Sequence, residues 1–324
     1  MAESRRLFGL GRYPGQGMYG ALGLERAGYA CDYLDTGAWP GGDRLTDLFK
    51  GRLGDFAIQR SARKRDAAVI FAANEGPLAG LAVSRRLSRI PLAAIFHSPP
   101  AEHRQARLAA RNYDVTFALS RLAHEGLLSL GLDPATTHLL RWGPQLDYPH
   151  YRATGDGRVV SAGKSLRDID LLAEALDRAA VPGLVYCPPG WNRQTTQVTP
   201  RPFSQVEEYP VILGDMAQAS AIAIPLLRTD RMLGLSEVND ALALGKPIVM
   251  TRTAHLDLDL EAIGCGIFID GPDVQAWAEA LAFLHSNPAQ AAEMGAKGRR
   301  WAAEHWNSAL CDQQVVQGLA HLAA

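Results

Sequence analysis

The chain has 324 residues and a mass of 35.0 kDa, long enough that two domains are expected rather than one core. Its 47% hydrophobic and 21% charged residues are those of a soluble globular protein. A formal net charge of −1, with no aromatics interleaved in the basic runs, argues against nucleic-acid binding.

The near-zero total covers an asymmetry. Residues 1–150 carry 19 Lys and Arg against 14 Asp and Glu, whereas the remainder carries 14 against 20. The basic segments of the first half, "RSARKRD" (60–66) with Arg85, Arg86 and Arg89, fit a solvated face or contact with an anionic membrane surface or phosphorylated lipid. No run has the length of a signal-peptide core or the ~20 apolar residues of a spanning helix, which points to a cytoplasmic protein, at most associated with the cytoplasmic face of a membrane. Cys31, Cys187, Cys265 and Cys311 share no metal-type spacing and read as reduced thiols.

In chain order, "RRLFGL" (5–10), "YACDYLD" (29–35), "DAAVIFAAN" (66–74), "PLAAIFH" (91–97), "DVTFALS" (114–120) and "THLLRW" (137–142) read as strands, with helices over 76–89 and 121–131. Periodicity stops in "WGPQLDYPHYRATGDG" (142–157), a Gly-, Pro- and Asp-rich linker. It resumes with strands in "GRVVSAG" (157–163), "GLVYCPP" (183–189), "VILG" (211–214), "AIAIPLL" (221–227), "KPIVMTR" (246–252) and "GIFID" (266–270), and helices over 168–180 and 236–244. From 272 the chain reads as helical nearly to its end, broken near 286–288. Continuous apolar strands alternating with helices predict an α/β fold of parallel sheets in two domains, 1–150 and 151–324, facing across a cleft, with C-terminal helices of which the last packs back on the first domain.

Ligands of open α/β sheets bind beyond the carboxyl ends of the strands, so the residues after each strand are the candidates. After strand one comes "GLGRYPGQGMYG" (9–20), where Gly15 and Gly17 are either a tight turn or a backbone approach to phosphate. His97 ends "IFH" at a strand tip before Pro99 and Pro100, and reads as a structural histidine or a ligand contact. In "VVSAGKSLRDIDLLAEAL" (159–176), Gly163 is followed by Lys164 and Arg167, a point charge and a planar fork suited to an anion, or else a surface pair. In "GLSEVNDALALGKPIV" (234–249), Ser236, Glu237 and Asp240 share a helix face near an N-terminus, while Leu235, Val238 and Leu242 face the core. The helix dipole alone accounts for Glu237; Asp240 lies a turn further in and suits a carboxylate accepting ribose hydroxyls.

Together these segments resemble the GT-B glycosyltransferases of the family-4-like group, over nearly the whole chain. "GLSEVNDALALGKPIV" is similar to the family's G-x-S-x-x-x-E-A-x-A-x-G-K-P-V-V, "SAGKSLRDIDLLAEAL" to its G-R-S-x-R-D phosphate loop, and "PLAAIFH" to its P-x-v-x-t-x-H. "RNYDVTFALS…GPQLDYPHY" (111–151) and the helical tail are of the same type. Asp240 stands where the family has a ribose-binding glutamate, Met232 where an acid precedes it by eight residues, Lys164 for an arginine and Asp170 for a lysine; Glu237 and Arg167 are the replacements at hand.

The resemblance implies transfer of a sugar, with retention, from a UDP-, GDP- or ADP-linked donor to a glycan, lipid-linked or small-molecule acceptor, as in bacterial polysaccharide biosynthesis. No metal or cofactor is implied. Gly15, Gly17, Gly163, Lys164, Arg167, Ser236, Glu237 and Asp240 would serve the donor, His97 would orient the sugar, and Glu75 would lie on the acceptor side. The alternatives are a non-catalytic GT-B protein binding nucleotide sugar or a partner subunit, and a nucleotide-sugar epimerase.

Overall fold

In the computed structural model, which describes residues 17–31, 67–73, 79–83, 90–100, 104–146, 157–203 and 209–322, the ten described strands form two wholly parallel sheets. The chain divides into two units: Gly17–Trp142 with Ser308–Ala324, and Gly143–Asn307. "RRLFGL" and most of "YACDYLD" lie outside the described residues; Tyr29–Cys31 form no strand.

The first unit holds β1 (Ile70–Ala72), β2 (Leu92–Phe96), β3 (Val115–Ala118) and β4 (Thr137–Leu139), hydrogen-bonded in that order. Every residue of β2 is buried, because it lies between β1 and β3, which is why "LAAIF" is apolar throughout rather than alternating. Leu92, Ala94 and Phe96 pack with Ala109, Ala110, Tyr113 and Leu127 from α3 (Arg104–Ala110) and α4 (Arg121–Ser129) and their flanks. Other helices here are α1 (Ala21–Arg26), after a 3-10 turn at Gly17–Gly20, and α2 (Ala79–Val83).

The last helix, α11 (Ser308–Leu319), belongs to this unit and meets it through glycines. A Cβ at Gly318 would lie 2.7 Å from the Phe117 ring, and one at Gly23 2.5 Å from Asp312. Gln314 accepts from the Arg141 backbone at 2.8 Å and donates to Leu139 at 3.1 Å, closing the end of β4. Asp312 is buried beside Arg26, whose Nη1 is 3.0 Å away.

The second unit orders its strands β10-β9-β8-β5-β6-β7. They are β5 (Val159–Ser161), β6 (Gly183–Cys187), β7 (Val198–Pro202), β8 (Ala221–Ile224), β9 (Ile248–Thr251) and β10 (Gly266–Ile269). This is the doubly wound order 3-2-1-4-5-6 read from β7, and the direction of winding reverses between β5 and β8. Val159, Val185, Ala223 and Val249 pack against α5 (Ile169–Ala179) and α9 (Val274–Ser286), centred on Leu172, Trp277 and Leu281. The opposite face, with Ile224 and Met250, receives the start of α7 (Leu235–Leu244).

Two further elements depart from the sequence expectation. "VILG" is not a strand but part of α6 (Tyr209–Gln218), which buries Ile212, Leu213, Met216 and Ala217 at helical spacing. β7 arises in a segment with no strand signal: it pairs only with β6, and an edge strand tolerates Pro200 and Pro202. The remaining helices are α8 (Leu260–Ile263) and α10 (Pro288–His305). Among the described residues no helix is long and apolar enough to cross a membrane.

Two stability predictions follow from these contacts. Gly295 of α10 lies directly on the Gly245 carbonyl at the end of α7, so Gly295→Ala should destabilise the protein by about 2–3 kcal/mol in urea unfolding, since backbone cannot give way. Burial pushes the Asp312 carboxyl up to about 6 against the opposing pull of Arg26. The folded state therefore favours the neutral acid, and the contribution of this group is fullest below its unfolded value of 3.8 and declines as pH rises through about 6, by about 3 kcal/mol in all. Asp312→Asn should be more stable than the parent at pH 7.5 and should flatten the pH dependence of unfolding between 4 and 6; loss of the half-exposed Arg26 contact offsets little of this.

Candidate functional site

The winding reversal between β5 and β8 leaves the tips of those strands without a crossover helix between them, and the chain fills the gap with backbone. Residues 166–168 turn back and pair antiparallel with 225–227: Leu227 N–H donates to Leu166 at 2.9 Å, Asp168 N–H donates to Pro225 at 2.9 Å, and Arg167 bridges Leu226. The return requires Leu166 to take φ 53°, the left-handed region that a leucine rarely adopts. Asp168 then caps α5, accepting from the Leu171 amide at 3.1 Å.

This pairing aims Arg167 inward. Its guanidinium lies against the Cα of Gly163, where any Cβ would overlap it. Nη1 donates to the Ser165 carbonyl at 2.6 Å and Nη2 to Glu237 Oε2 in an ion pair whose side chains are 6% and 9% exposed. Arg167 Nε and Glu237 Oε1 are buried and, among the described residues, without a hydrogen-bond partner.

Glu237 stands in the first turn of α7. The N-cap, Gly234, has φ 82° and no capping side chain, and a Cβ there would lie 2.9 Å from Ile224, so the helix starts hard against the sheet. Its leading amides have no side-chain cap and favour negative charge. Ser236 is half-buried in the same turn, and Lys164 is exposed at the β5 tip with Leu166 and Leu227 beside the pairing.

Of the residues expected on one helix face, the two acids take separate partners, Glu237 on Arg167 and Asp240 on α6. Asp240, 2% exposed, accepts from the Tyr209 hydroxyl of α6, and the neighbouring Asn239 accepts from Trp306 Nε1 at 3.0 Å. Asp170 turns to the loop after β6, where Trp191 Nε1 donates to it at 3.0 Å. Sequence reasoning missed Tyr209, two residues before "VILG" and outside every expected element, and Thr251, whose hydroxyl accepts from the Leu226 amide at 2.9 Å and holds the β8 tip.

His97 belongs to the first unit, as does Gly17, which opens the 3-10 turn before α1; the other described candidates belong to the second. Gly15 and Glu75 lie outside the described residues. His97 Nε2 is 2.8 Å from the Ala73 carbonyl, which can only accept, so the proton is on Nε2 and Nδ1 is left as an acceptor. The Tyr19 ring lies 5.4 Å from it and stacks on Trp142 at 4.5 Å. Burial lowers the His97 pKa, opposed by the bond to Ala73, and raises that of the Tyr19 hydroxyl.

No protein-family model matches the chain, and no protein of curated function matches it by sequence. Solved structures match it in fold. The Thermosynechococcus elongatus sucrose-phosphate synthase superposes with a TM-score of 0.68 at 17% identity, over 90% of this chain and 83% of that one. Anabaena HepE in complex with UDP-glucose gives 0.65 at 16%, over 92% and 88%. WaaG, a glycosyltransferase involved in lipopolysaccharide biosynthesis, gives 0.61 at 12%, over 93% and 94%. The chain has the GT-B fold of the glycosyltransferases, as the sequence motifs implied.

The His97 tautomer is directly measurable. In nitrogen-15 histidine spectra at pH 7 the ring should show a protonated Nε2 and an unprotonated Nδ1, and should titrate below the ordinary 6.5. A ring that charges above 6.5 would contradict the buried geometry.

Proposed function

We propose that this protein is a glycosyltransferase that takes a sugar from a nucleotide-diphosphate donor and passes it, with retention, to a glycan, lipid-linked or small-molecule acceptor. The observation that carries the reading is the β5–β8 winding reversal, where Gly163, Lys164 and Arg167 meet the uncapped start of α7. The fold supports it, since a neighbour of the same fold is solved with UDP-glucose. Lys164, Arg167 and the leading amides of α7 would neutralise the diphosphate as it leaves, so no metal is needed for that task. Asp240 would accept from the ribose, Ser236 would line the same turn, and Gly15 and Gly17 would serve the donor phosphates. His97, neutral and presenting Nδ1, would accept from a sugar hydroxyl and hold its orientation, with Glu75 on the acceptor side. The basic segments of the first half, 60–66 with Arg85, Arg86 and Arg89, lie outside the described residues and would meet an anionic membrane or lipid-linked acceptor.

A non-catalytic nucleotide-sugar-binding protein has one observation in its favour, namely that the charge of Arg167 is already met by Glu237. Binding without turnover of any acceptor would select it.

Calorimetric titration with UDP-, GDP- and ADP-glucose tests the proposal: one should bind, and none binding would sink it. Lys164→Ala should weaken that binding about tenfold with the melting temperature unchanged, because the side chain is exposed. Asp240→Ala should weaken binding and also lower stability by about 1–3 kcal/mol, because it removes a buried carboxylate that accepts from the half-buried Tyr209 hydroxyl.

A further inference from the structure

Two features of the second unit attract an anion, the Arg167 guanidinium over Gly163 and the uncapped start of α7, and a single carboxylate answers both. Glu237 is placed in the first helical turn, where the dipole favours its charge, and its Oε2 takes the outer nitrogen of Arg167. Arg167 donates its other outer nitrogen to the Ser165 carbonyl, so both outer nitrogens are engaged inside the protein and Nε makes no bond among the described residues. A phosphate arriving at the β5 tip would find the guanidinium already held by an internal carboxylate.

The pair is nonetheless incomplete. A carboxylate and a guanidinium can join through two parallel bonds, yet here one is made, leaving Arg167 Nε and Glu237 Oε1 buried and, among the described residues, unpartnered. Both atoms are out of water without compensation, which is costly for charged groups. A ligand phosphate offers three oxygens to the same guanidinium and releases the carboxylate to a ligand hydroxyl or to water. The strained return at Leu166 and the backbone bonds of 166–168 hold the base of the Arg167 side chain, so an exchange of partners needs only side-chain movement.

We infer that Glu237 is an internal counter-anion, a carboxylate that occupies the phosphate position on Arg167 in the empty site and competes with the donor for it. The inference rests on the donor-binding reading above. It makes Glu237 a determinant of affinity: a ligand gains Arg167 only by displacing the carboxylate, so bare phosphates bind weakly and the donor depends on its remaining contacts to tip the exchange.

Titrating the full-length protein with UDP and with inorganic pyrophosphate tests this. Glu237→Gln keeps the shape and removes the charge, and it should bind both ligands about tenfold more tightly than the parent; Arg167→Gln should lose the gain when combined with it. Glu237→Ala serves as a second version, and circular dichroism checks that each variant is folded. Tighter binding by folded Glu237→Gln, even where the parent binds too weakly to measure, supports the inference. Unchanged or weaker binding beside a parent that binds overturns it alone and makes Glu237 a residue that merely positions Arg167. No binding by parent or variants overturns it together with the donor reading. In the unaltered protein, the Arg167 Nε–H proton signal should shift when pyrophosphate is added, and its constancy at saturation would count against exchange.

Discussion

The antiparallel pairing of residues 166–168 with 225–227 is the constraint on which the second unit's site depends. In a doubly wound sheet the two strands at the reversal point end side by side with their crossovers leading to opposite faces. Here the backbone after β5 crosses that gap and bonds to the backbone after β8. Three consequences follow from one turn: Leu166 is forced to positive φ, Arg167 is directed back over Gly163, and Asp168 arrives where it can cap α5. The left-handed leucine costs about 1–2 kcal/mol, and the two inter-loop backbone bonds with the cap contribute a comparable amount in the other direction. The Thr251 hydroxyl holds the far side of the same pairing through the Leu226 amide, so the tips of β5, β8 and β9 form one hydrogen-bonded edge.

Burial treats the protein's acids differently according to what faces them. Asp312 is enclosed between α11 and α1 with a largely exposed arginine as its charged neighbour, and desolvation dominates, lifting its pKa. Glu237 is enclosed with an arginine that is itself buried and with the amide end of a helix, so its charge is met from two directions. An ion pair removed from water on both sides is weak evidence for stability and better evidence of a specified geometry. In the second unit that geometry is the arrangement of an anion site.

Much of this architecture is legible in the residues. Continuous apolar runs such as "LAAIF" and "AIAI" betray central parallel strands, and Gly163, Lys164, Arg167 and Glu237 stand out because strand tips are where such residues have consequences. What could not be read is whatever depends on strand order. β5 and β8 are some sixty residues apart, and nothing local says that they are neighbours, so the Arg167–Glu237 pair has no sequence signature. β7 is invisible for a different reason: an edge strand needs neither apolar alternation nor every amide, and prolines disguise it. "VILG" misleads because four apolar residues in a row satisfy either period, and only Met216 and Ala217 beyond them decide for the helix.

Helix α7 shows why polar residues in a core helix need not be a defect. All its residues except Ser236 are buried, so its polar side chains cannot turn to water. Each is met by a donor from a different element: Glu237 by Arg167 after β5, Asn239 by Trp306 after α10, and Asp240 by Tyr209 of α6. An apolar helix of the same shape could rotate or slide by a turn at modest cost, since hydrophobic contact is non-directional. Three hydrogen bonds aimed in three directions forbid both movements, because any shift would leave several buried polar groups unpaired at once. The contacts that fix the register of this helix are therefore the ones that fix Glu237 at the β5–β8 reversal, and the position of the anion site is set by the fold's own polar interior rather than by a separate set of surface residues.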